Sequence, residues 1–342
     1  MLNPAEWEIA RYDGGEPLVA VVVDTEEEFD WGQPLAAANT AVRAMRAQAR
    51  AHAVFARYGV RPTYVIDWPV ADQDDGWRPL HELYQDGLCE IGAHLHPWVT
   101  PPAEEVVCNA NSYPGNLPPA LERDKLSRLV ERIGERFGAR PTVYKAGRYG
   151  VGPATAGILD ELGFEIDASV VPGTDLRRFE GPDFTACGAR PYWFGRGRRL
   201  LEIPLSVAYT GALAGAGAAL YPPAASPLGL RLHVPGVLAR TGLLERITLT
   251  PEGVVHEEHR RLVRTMLASG HRIFSFTYHS PSLAPGNTPY VADEPGLRAF
   301  LDRFERFFDW FLGELGGRAA TLTEIRRRLA PPHPDRPLNR PC

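Results

Sequence analysis

Short apolar runs alternate with longer amphipathic segments along most of the chain. Runs rich in Val, Ile, Phe and Tyr are typical of buried strands, and apolar residues that repeat every three or four positions predict helices. Strands are therefore predicted at 18–24, 61–67, 87–92, 142–146, 164–171, 200–205, 272–278 and 320–322. Helices are predicted at 42–58, 80–85, 121–137, 153–162, 250–270 and 297–315. This alternation predicts an α/β fold, an incomplete or distorted (β/α) barrel of about seven parallel strands.

One segment interrupts the alternation. Residues 207–244 are rich in Gly, Ala and Pro and lie between two predicted strands. We interpret this segment as a surface insertion, with a substrate lid as the alternative. One catalytic domain is predicted for residues 1–330, followed by a mobile tail at 331–342.

Composition excludes several classes of protein. The 342 residues carry a net charge of −5, which argues against nucleic acid as a partner. No apolar stretch is long enough to span a bilayer, and the N-terminus lacks the basic and apolar regions of a secretory signal. The four cysteines are widely spaced, which indicates free thiols in a reducing compartment. These features predict a cytoplasmic location and no transmembrane segment.

Charged or metal-binding side chains follow three of the predicted strands. Asp24 and Glu26 follow the first strand, His94 and His96 follow the third, and His279 follows the strand at 272–278. Residues i and i+2 of an extended chain point to the same face, so each pair shares a direction. Parallel strands deliver their carboxyl ends to one edge, where we expect all five residues to converge. Carboxylates and imidazoles bind divalent metals such as zinc, so the set predicts a metal-hydrolase site.

Other polar residues near these motifs are less specific. Arg148 follows the strand at 142–146 and could hold a carboxylate ionised through a bidentate pair, a surface turn being the alternative. His256 and His259 miss the spacing of the zincin motif and are expected to be exposed. The acids that continue the first motif are expected at the surface: Glu27, Glu28 and Asp30. No G-x-S-x-G elbow, P-loop or dinucleotide fingerprint is present.

The order of these motifs resembles that of the NodB-homology polysaccharide deacetylases. More closely, VVVDTEEEFDW, EIGAHLHPWVTPP, NSYPGNLP, KAGRYGVGP and YHSPSL look like the WalW-like subgroup. The resemblance covers about residues 18–322. It implies an incomplete (β/α) barrel, a divalent metal that is commonly zinc, and removal of acetyl groups from N-acetylated sugars.

The resemblance also implies metal ligands. Glu26 takes the place of the metal carboxylate, and His94 matches the first metal histidine. The family has its second histidine four positions further on, where this chain has Trp98. His96 is therefore the expected second histidine ligand.

Catalytic roles follow from the same resemblance. Asp24 matches the base that takes a proton from water, and His279 matches the general acid that protonates the departing amine. Arg148 matches the arginine that orients the base. The backbone N–H of Tyr149 matches a donor to the oxyanion, and Asp167 matches the aspartate that supports the histidine acid.

Three functions remain open at this point. The first is a metal-assisted deacetylase that acts on a surface polysaccharide or its precursor. The second is a metal-independent amidohydrolase that acts on another non-peptide C–N bond. The third is a catalytically silent carbohydrate-binding protein whose aromatic side chains stack on sugar rings. The expected partner is a carbohydrate substrate.

Overall fold

A ten-stranded sheet organises the computed structural model, which describes residues 7–331. The described residues form twelve strands, ten of them in this sheet. The strands are β1 (Glu8–Ile9), β2 (Leu18–Thr25), β3 (Thr63–Ile66), β4 (Glu90–Leu95), β5 (Val143–Ala146), β6 (Ile166–Asp167), β7 (Tyr192–Phe194), β8 (Leu200–Glu202), β9 (Val207–Thr210), β10 (Glu245–Thr248), β11 (Ile273–His279) and β12 (Arg318–Ala319). Their order in the sheet is β1-β7-β8-β6-β5-β4-β3-β2-β11, with β12 also paired to β2. Strands β9 and β10 form a separate two-stranded sheet.

Eleven α-helices lie within the described residues 7–331. The α-helices are α1 (Gln48–Arg57), α2 (Trp68–Asp72), α3 (Asp74–Gln85), α4 (Pro119–Phe137), α5 (Thr155–Leu162), α6 (Gly217–Ala224), α7 (Pro227–Arg231), α8 (Val234–Arg240), α9 (His256–Ala268), α10 (Glu294–Phe308) and α11 (Leu322–Arg328). A π-helical turn, Asp309–Glu314, continues α10. Within residues 7–331, no helix combines the length and apolar character needed to cross a bilayer.

The predicted fold class is confirmed. Strands β2, β3, β4, β5, β6, β8, β11 and β12 pair in parallel, and the sheet curls into a half-barrel. Only β7 pairs antiparallel within this sheet, between β8 and β1. The carboxyl ends of the parallel strands consequently lie along one rim, as barrel architecture requires.

Alternation along β2 divides the core into two clusters. Val19, Val21 and Val23 belong to the larger cluster, which includes the helix side chains Phe55 and Phe304. The intervening residues of β2 belong to a smaller cluster that includes Leu322 and Ile325 of α11. Both faces of this strand are therefore buried, which explains why its sequence is a continuous apolar run.

Helix α9 corrects one expectation from the sequence. His256 and His259, expected to be exposed, are buried. The His259 Nε2 atom lies 2.8 Å from the Thr250 carbonyl oxygen, and its ring meets Phe276 edge-on. Helix α9 begins at His256 rather than at Thr250. Positions 259, 262, 263 and 266 have the i, i+3, i+4, i+7 spacing of one helix face, and that face is buried.

The 207–244 segment has defined structure. Strand β9 pairs antiparallel with β10, and the chain between them forms α6, α7 and α8. The helices pack on one another and on this hairpin. The tail predicted for 331–342 lies, apart from Pro331, outside the described residues.

Buried Glu122 makes stability depend on pH. Its Oε1 atom accepts a hydrogen bond from Thr155 at 2.6 Å, and burial raises the pKa of Glu122 to about 7. A pKa raised in the folded state gives stability that is lost as pH rises from the unfolded value of 4.5 through about 7. We predict that, over this interval, the unfolding free energy of wild type falls by about 3 kcal/mol relative to that of Glu122→Gln, as measured by urea denaturation.

The control for this prediction is Glu131→Gln, an exposed position on the same helix. It should track wild type at every pH. Parallel pH profiles for wild type and Glu122→Gln would show that Glu122 is not the titrating group.

Candidate active site

Seven of the predicted site residues line one cavity of about 650 Å³ at the carboxyl rim of the sheet. Asp24 is the penultimate residue of β2, His94 lies in β4 and His279 ends β11. Asp24 and His279 are direct register partners. The structure brings the following together: Asp24, Glu26, His94, His96, Arg148 and His279, with Tyr149 beside them. Asp167 is not among the lining residues.

Glu26, His94 and His96 present three ligand atoms to one point. The Glu26 Oε2 atom lies 3.6 Å from His94 Nε2 and 3.5 Å from His96 Nε2, and all three side chains are buried. Burial lowers the pKa of His94 and lowers that of His96 to about 4, so both imidazoles are neutral at pH 7. Neutral imidazoles and a carboxylate are standard ligands of divalent metals.

Both histidines use the second ring nitrogen as a hydrogen-bond donor. His94 Nδ1 donates to the Lys145 carbonyl oxygen at 2.9 Å, and His96 Nδ1 donates to Glu27 Oε2 at 2.8 Å. With the proton on Nδ1, each Nε2 carries a lone pair directed toward Glu26. Histidine ligands are oriented in this way by carbonyl or carboxylate groups behind them.

Glu27 is buried, which corrects its predicted surface position. Its Oε1 atom accepts a hydrogen bond from the Trp98 indole at 2.7 Å, and its backbone N–H donates to Asp67 Oδ2 at 2.7 Å. Glu27 points the opposite way from Glu26 because the chain stays extended after β2. It therefore reaches behind His96, whereas Glu28 is half-buried and Asp30 is exposed.

The residues present fit a divalent cation. The Glu26 Oε1 atom is buried and has no hydrogen-bond partner among the described residues. Two imidazole lone pairs facing a carboxylate repel one another, and burial raises the pKa of Glu26 to about 7. A cation among these three groups relieves the repulsion and supplies the carboxylate with its missing partner.

Gly147 makes room for His96. A Cβ atom on this glycine would lie 2.4 Å from His96 Cδ2 and 2.5 Å from the Leu95 carbonyl oxygen. Any larger residue would displace the ring. The glycine of the KAGRYG motif is therefore a steric requirement of the histidine pair.

Lys145, and not Arg148, is the cation that holds Asp24. The Lys145 Nζ atom lies 2.6 and 2.7 Å from the two carboxylate oxygens of Asp24, and 3.2 Å from Thr277 Oγ1. Burial by itself would raise the pKa of Asp24, but Lys145, His94 and His279 together outweigh burial, and the pKa lies below its usual value. Asp24 is therefore ionised at neutral pH.

Arg148 makes different contacts from those predicted. Its guanidinium donates to Asn109 Oδ1 at 2.9 Å and to Ser112 Oγ, and it lies over the Tyr113 ring at 4.3 Å. Arg148 and Tyr149 have φ values of 53° and 61°, in the left-handed region that non-glycine residues rarely adopt. This turn directs Arg148 toward the cavity wall, away from Asp24. The proposed oxyanion role of the Tyr149 N–H stays a prediction.

Glu252, and not Asp167, supports His279. The His279 Nδ1 atom donates to Glu252 Oε2 at 2.8 Å, and the His279 backbone N–H donates to Glu252 Oε1 at 3.1 Å. Ser282 also donates to Glu252, at 2.6 Å. Asp167 instead accepts a hydrogen bond from Ser169, because its side chain points to the outer face of the sheet. The predicted contact between Asp167 and His279 is wrong.

His279 is protonated and lies beside the ionised Asp24. Burial alone would lower its pKa, but the carboxylates of Glu252, Glu26 and Asp24 outweigh burial and raise the pKa to about 10. The His279 Nε2 atom faces the cavity and lies 3.6 Å from Asp24 Oδ2. A protonated imidazole and an ionised carboxylate thus stand together at one side of the three metal-binding groups.

Aromatic side chains form much of the cavity wall. Trp31 meets His279 edge-on at 4.9 Å between ring centroids and meets Tyr290 at 5.7 Å. Trp98 stacks on His96 at 4.2 Å. Trp31 thus packs against His279, and Trp98 packs against His96. The aromatic rings also give the cavity large apolar surfaces suited to the faces of sugar rings.

Sequence reasoning missed three functional side chains. Lys145 lies in a buried four-residue strand. A lysine in a buried strand needs an acidic partner, so the sequence did contain an indication of its role. Glu27 gave no signal, since its burial depends on how the chain leaves β2. The sequence predicts Glu252 as an acidic residue in the first turn of a helix. The helix instead begins four residues later, at His256.

No protein-family model matches the sequence, and no functionally curated protein matches it. A crystal structure from Mycobacterium smegmatis, described as that of a candidate polysaccharide deacetylase, has the same fold. The TM-score is 0.56 at 19% identity, covering 100% of this chain and 99% of that one. This likeness is in fold alone, and it agrees with the NodB-type half-barrel.

More distant likenesses include a CE4 family pseudoenzyme from Bacillus anthracis, with a TM-score of 0.45, 9% identity and coverage of 91% of this chain and 66% of that one. Another is the peptidoglycan deacetylase PdaC from Bacillus subtilis, with a TM-score of 0.42, 9% identity and 92% coverage of each chain. Similarity at this level carries no argument about this chain's activity.

The geometry predicts one high-affinity metal site. Metal-free protein titrated with Zn²⁺ in a calorimeter should bind one equivalent, because three buried ligand atoms meet at one point. Glu26→Gln and His96→Ala should abolish this binding. Glu27→Gln should weaken it about 10- to 100-fold, because the partner that orients His96 is lost.

His233→Ala is the matched control for the metal titration, since His233 is exposed and distant in sequence from the site. It should bind like wild type. Undiminished binding by both Glu26→Gln and His96→Ala would contradict the assignment.

The Glu252 contact predicts a shift in the titration of His279. In metal-free Glu252→Gln, the pKa of His279 should fall from about 10 by at least about one unit, because the largest carboxylate attraction is removed while burial remains. The measurement is long-range ¹H–¹⁵N NMR of the imidazole across pH 5–11. Asp167→Asn should leave this titration unchanged, and an equal shift in both variants would contradict the pairing.

Proposed function

We propose that this protein is a metal-dependent hydrolase that removes acetyl groups from N-acetylated sugars. The observation that carries the proposal is the placement of an ionised Asp24 and a protonated His279 beside three convergent metal-binding groups. Few reactions need all three elements. Hydrolysis of an unactivated amide does, because water must lose a proton, the carbonyl must be polarised and the amine must gain a proton.

The metal would be held by Glu26, His94 and His96, with zinc as the proposed ion. Bound there, a divalent cation supplies Lewis acidity toward the amide carbonyl and toward water. Glu27 keeps His96 in the tautomer whose Nε2 is free, and the Lys145 carbonyl does the same for His94. These contacts preorganise the site before a ligand binds.

Asp24 is the proposed base. Its carboxylate accepts a proton as water attacks the acetyl carbonyl carbon, and the C–O bond forms. Lys145 holds the carboxylate in position through both oxygens and keeps it ionised before the reaction. Because Lys145 neutralises part of that charge, the cost of keeping Asp24 ionised in a buried site is reduced.

His279 is the proposed acid. Its Nε2 proton passes to the nitrogen of the leaving amine as the C–N bond breaks, which yields acetate and the free amino sugar. Glu252 fixes the ring and stabilises its protonated form through Nδ1. The backbone N–H of Tyr149 is proposed to donate to the developing oxyanion, and Arg148 to contact the sugar from the cavity wall.

A carbohydrate substrate is supported by the cavity and by the fold. Trp31, Phe29 and Tyr290 offer flat apolar faces around the reacting groups, and Asn109 and Arg148 offer polar contacts. The fold likeness to a candidate polysaccharide deacetylase points the same way. The convergence of three ligand atoms favours the metal-assisted reaction over the metal-independent amidohydrolase.

Three finer assignments accompany this proposal. The motifs quoted above support membership of the CE4 NodB-homology deacetylases and of their WalW-like subgroup. Residues 1–330 are proposed to act as one catalytic domain. A cytoplasmic location stays a prediction from the sequence.

Acetate release tests the proposed function. Zinc-loaded wild type should release acetate from oligomers of N-acetylglucosamine, measured by an enzyme-coupled acetate assay. Asp24→Asn should lower kcat about 10²- to 10⁴-fold, because the base is lost while the shape is kept. The control is Asp30→Asn, an exposed acid six residues further on, which should retain wild-type activity.

Two results would count against the deacetylase. One is release of acetate that is equal in wild type and Asp24→Asn. The other is full activity after the metal has been removed by chelation, which would instead favour the metal-independent amidohydrolase.

A further inference from the structure

Exposed apolar side chains are concentrated in one segment. Of the thirteen large apolar side chains that are exposed in residues 7–331, seven lie between Leu213 and Leu243. The most exposed are Leu228 at 66%, Leu232 at 62% and Val237 at 53%. Isolated surface leucines are ordinary, but a cluster of them marks an interaction site.

Most of these side chains lie in or directly after the three short helices between β9 and β10. Leu220 lies in α6, Leu228 and Leu230 in α7, and Val237 in α8, with Leu232 just after α7. The helices bury their small residues instead: Gly217, Ala224 and Gly229 are buried. The fold thus packs the module through glycine and alanine and presents its leucines outward. We call this set of exposed side chains the leucine face (Leu220, Leu228, Leu230, Leu232 and Val237).

Charge on this segment has one sign. Residues 211–244 contain Arg231, Arg240 and His233, all of them exposed, and contain no Asp or Glu. The chain as a whole carries a net charge of −5. Basic residues interspersed with exposed leucines are the composition of surfaces that bind anionic bilayers at the headgroup level.

A second copy of the chain fits this face less well. A two-fold dimer would place the same patch against itself, so the basic residues of one copy would face a patch that is also basic. The segment has no acid to neutralise them, and interface cores are depleted of charged residues. An anionic lipid surface satisfies the leucines and the arginines together.

We propose that the leucine face docks peripherally on an anionic lipid bilayer, with its leucines inserted among the headgroups and Arg231 and Arg240 against lipid phosphates. The segment leads directly into β10, whose residues line a second cavity of about 390 Å³. That cavity shares Tyr149, His279 and Tyr290 with the candidate active site. The docking segment is thus continuous in sequence with a strand that lines the cavity beside the candidate active site.

Vesicle flotation tests the proposal without requiring turnover. The full chain should float with vesicles of phosphatidylcholine and phosphatidylglycerol at 7:3, and the bound fraction should fall as NaCl rises from 0.05 to 0.5 M. Arg231→Gln/Arg240→Gln should weaken binding about 25-fold, since each cation contributes roughly fivefold near such a surface. Leu228→Ser/Leu230→Ser/Leu232→Ser should weaken it at least about 100-fold, because the apolar contact is lost.

Matched controls separate the face from general surface effects. Arg298→Gln/Arg327→Gln removes two exposed arginines elsewhere, and Val106→Ser removes an apolar side chain that is 77% exposed. Both should float like wild type. All variants should retain the wild-type near-ultraviolet circular dichroism spectrum, because the substituted side chains are exposed.

Three outcomes would overturn the proposal. One is absence of flotation with the anionic vesicles. Another is equal flotation with pure phosphatidylcholine, which would remove the role of the arginines. The third is a dimer in light scattering that the leucine variant converts to monomer, which would assign the face to a second copy. None of these outcomes bears on acetate release, so failure here is distinct from failure of the proposed deacetylase.

Discussion

The buried ion pair between Lys145 and Asp24 is the contact on which the site depends. Strands β2 and β5 are separated by β3 and β4, so the lysine crosses the interior of the curled sheet to reach the carboxylate. Its Nζ atom also contacts Thr277 of β11. Two charges removed from water are costly unless their geometry is good, and here the ammonium meets both oxygens. The pair therefore ties three strands together at the rim where the reactive groups lie.

Charges around the cavity alternate in sign. Lys145 neutralises Asp24, Asp24 faces the protonated His279, and His279 is held by Glu252. Lys145 favours the ionised form of Asp24, and Glu252 and Asp24 favour the protonated form of His279, so that a carboxylate and an imidazolium coexist within 3.6 Å. Beside this row of charged groups lie Glu26 and two neutral imidazoles, and these three groups include no cation. This difference explains why a metal suits one half of the site and proton transfer suits the other.

The backbone contributes to the same arrangement through one turn. Gly147 leaves space for the His96 ring, and the next two residues take left-handed conformations that non-glycine residues rarely adopt. Such strain persists only where surrounding contacts enforce it, and it is frequent at functional sites. Here Arg148 is fixed by Asn109 and Ser112, and Tyr149 packs in the cavity wall. The turn therefore serves the histidine pair on one side and the cavity on the other.

The sequence by itself determined the fold class and the residues at the strand ends. Asp24, His94 and His279 each follow an apolar run. Their convergence could be predicted from the two-residue period of strands and the shared rim of a parallel sheet. The i, i+2 spacing also sufficed to predict that His94 and His96 face one way, as they do.

Only the tertiary structure decided which partners these residues have. Lys145, Glu27 and Glu252 lie at least 27 residues from the groups they hold, so no local pattern links them. The sequence predicts Arg148 as the partner of Asp24, where Lys145 lies, and Asp167 as the partner of His279, where Glu252 lies. The left-handed turn directs Arg148 elsewhere, and the pleat of β6 turns Asp167 to the outer face. The period of a strand or helix determines on which side of that element a side chain lies. The partner of the side chain depends on how distant elements curl and pack.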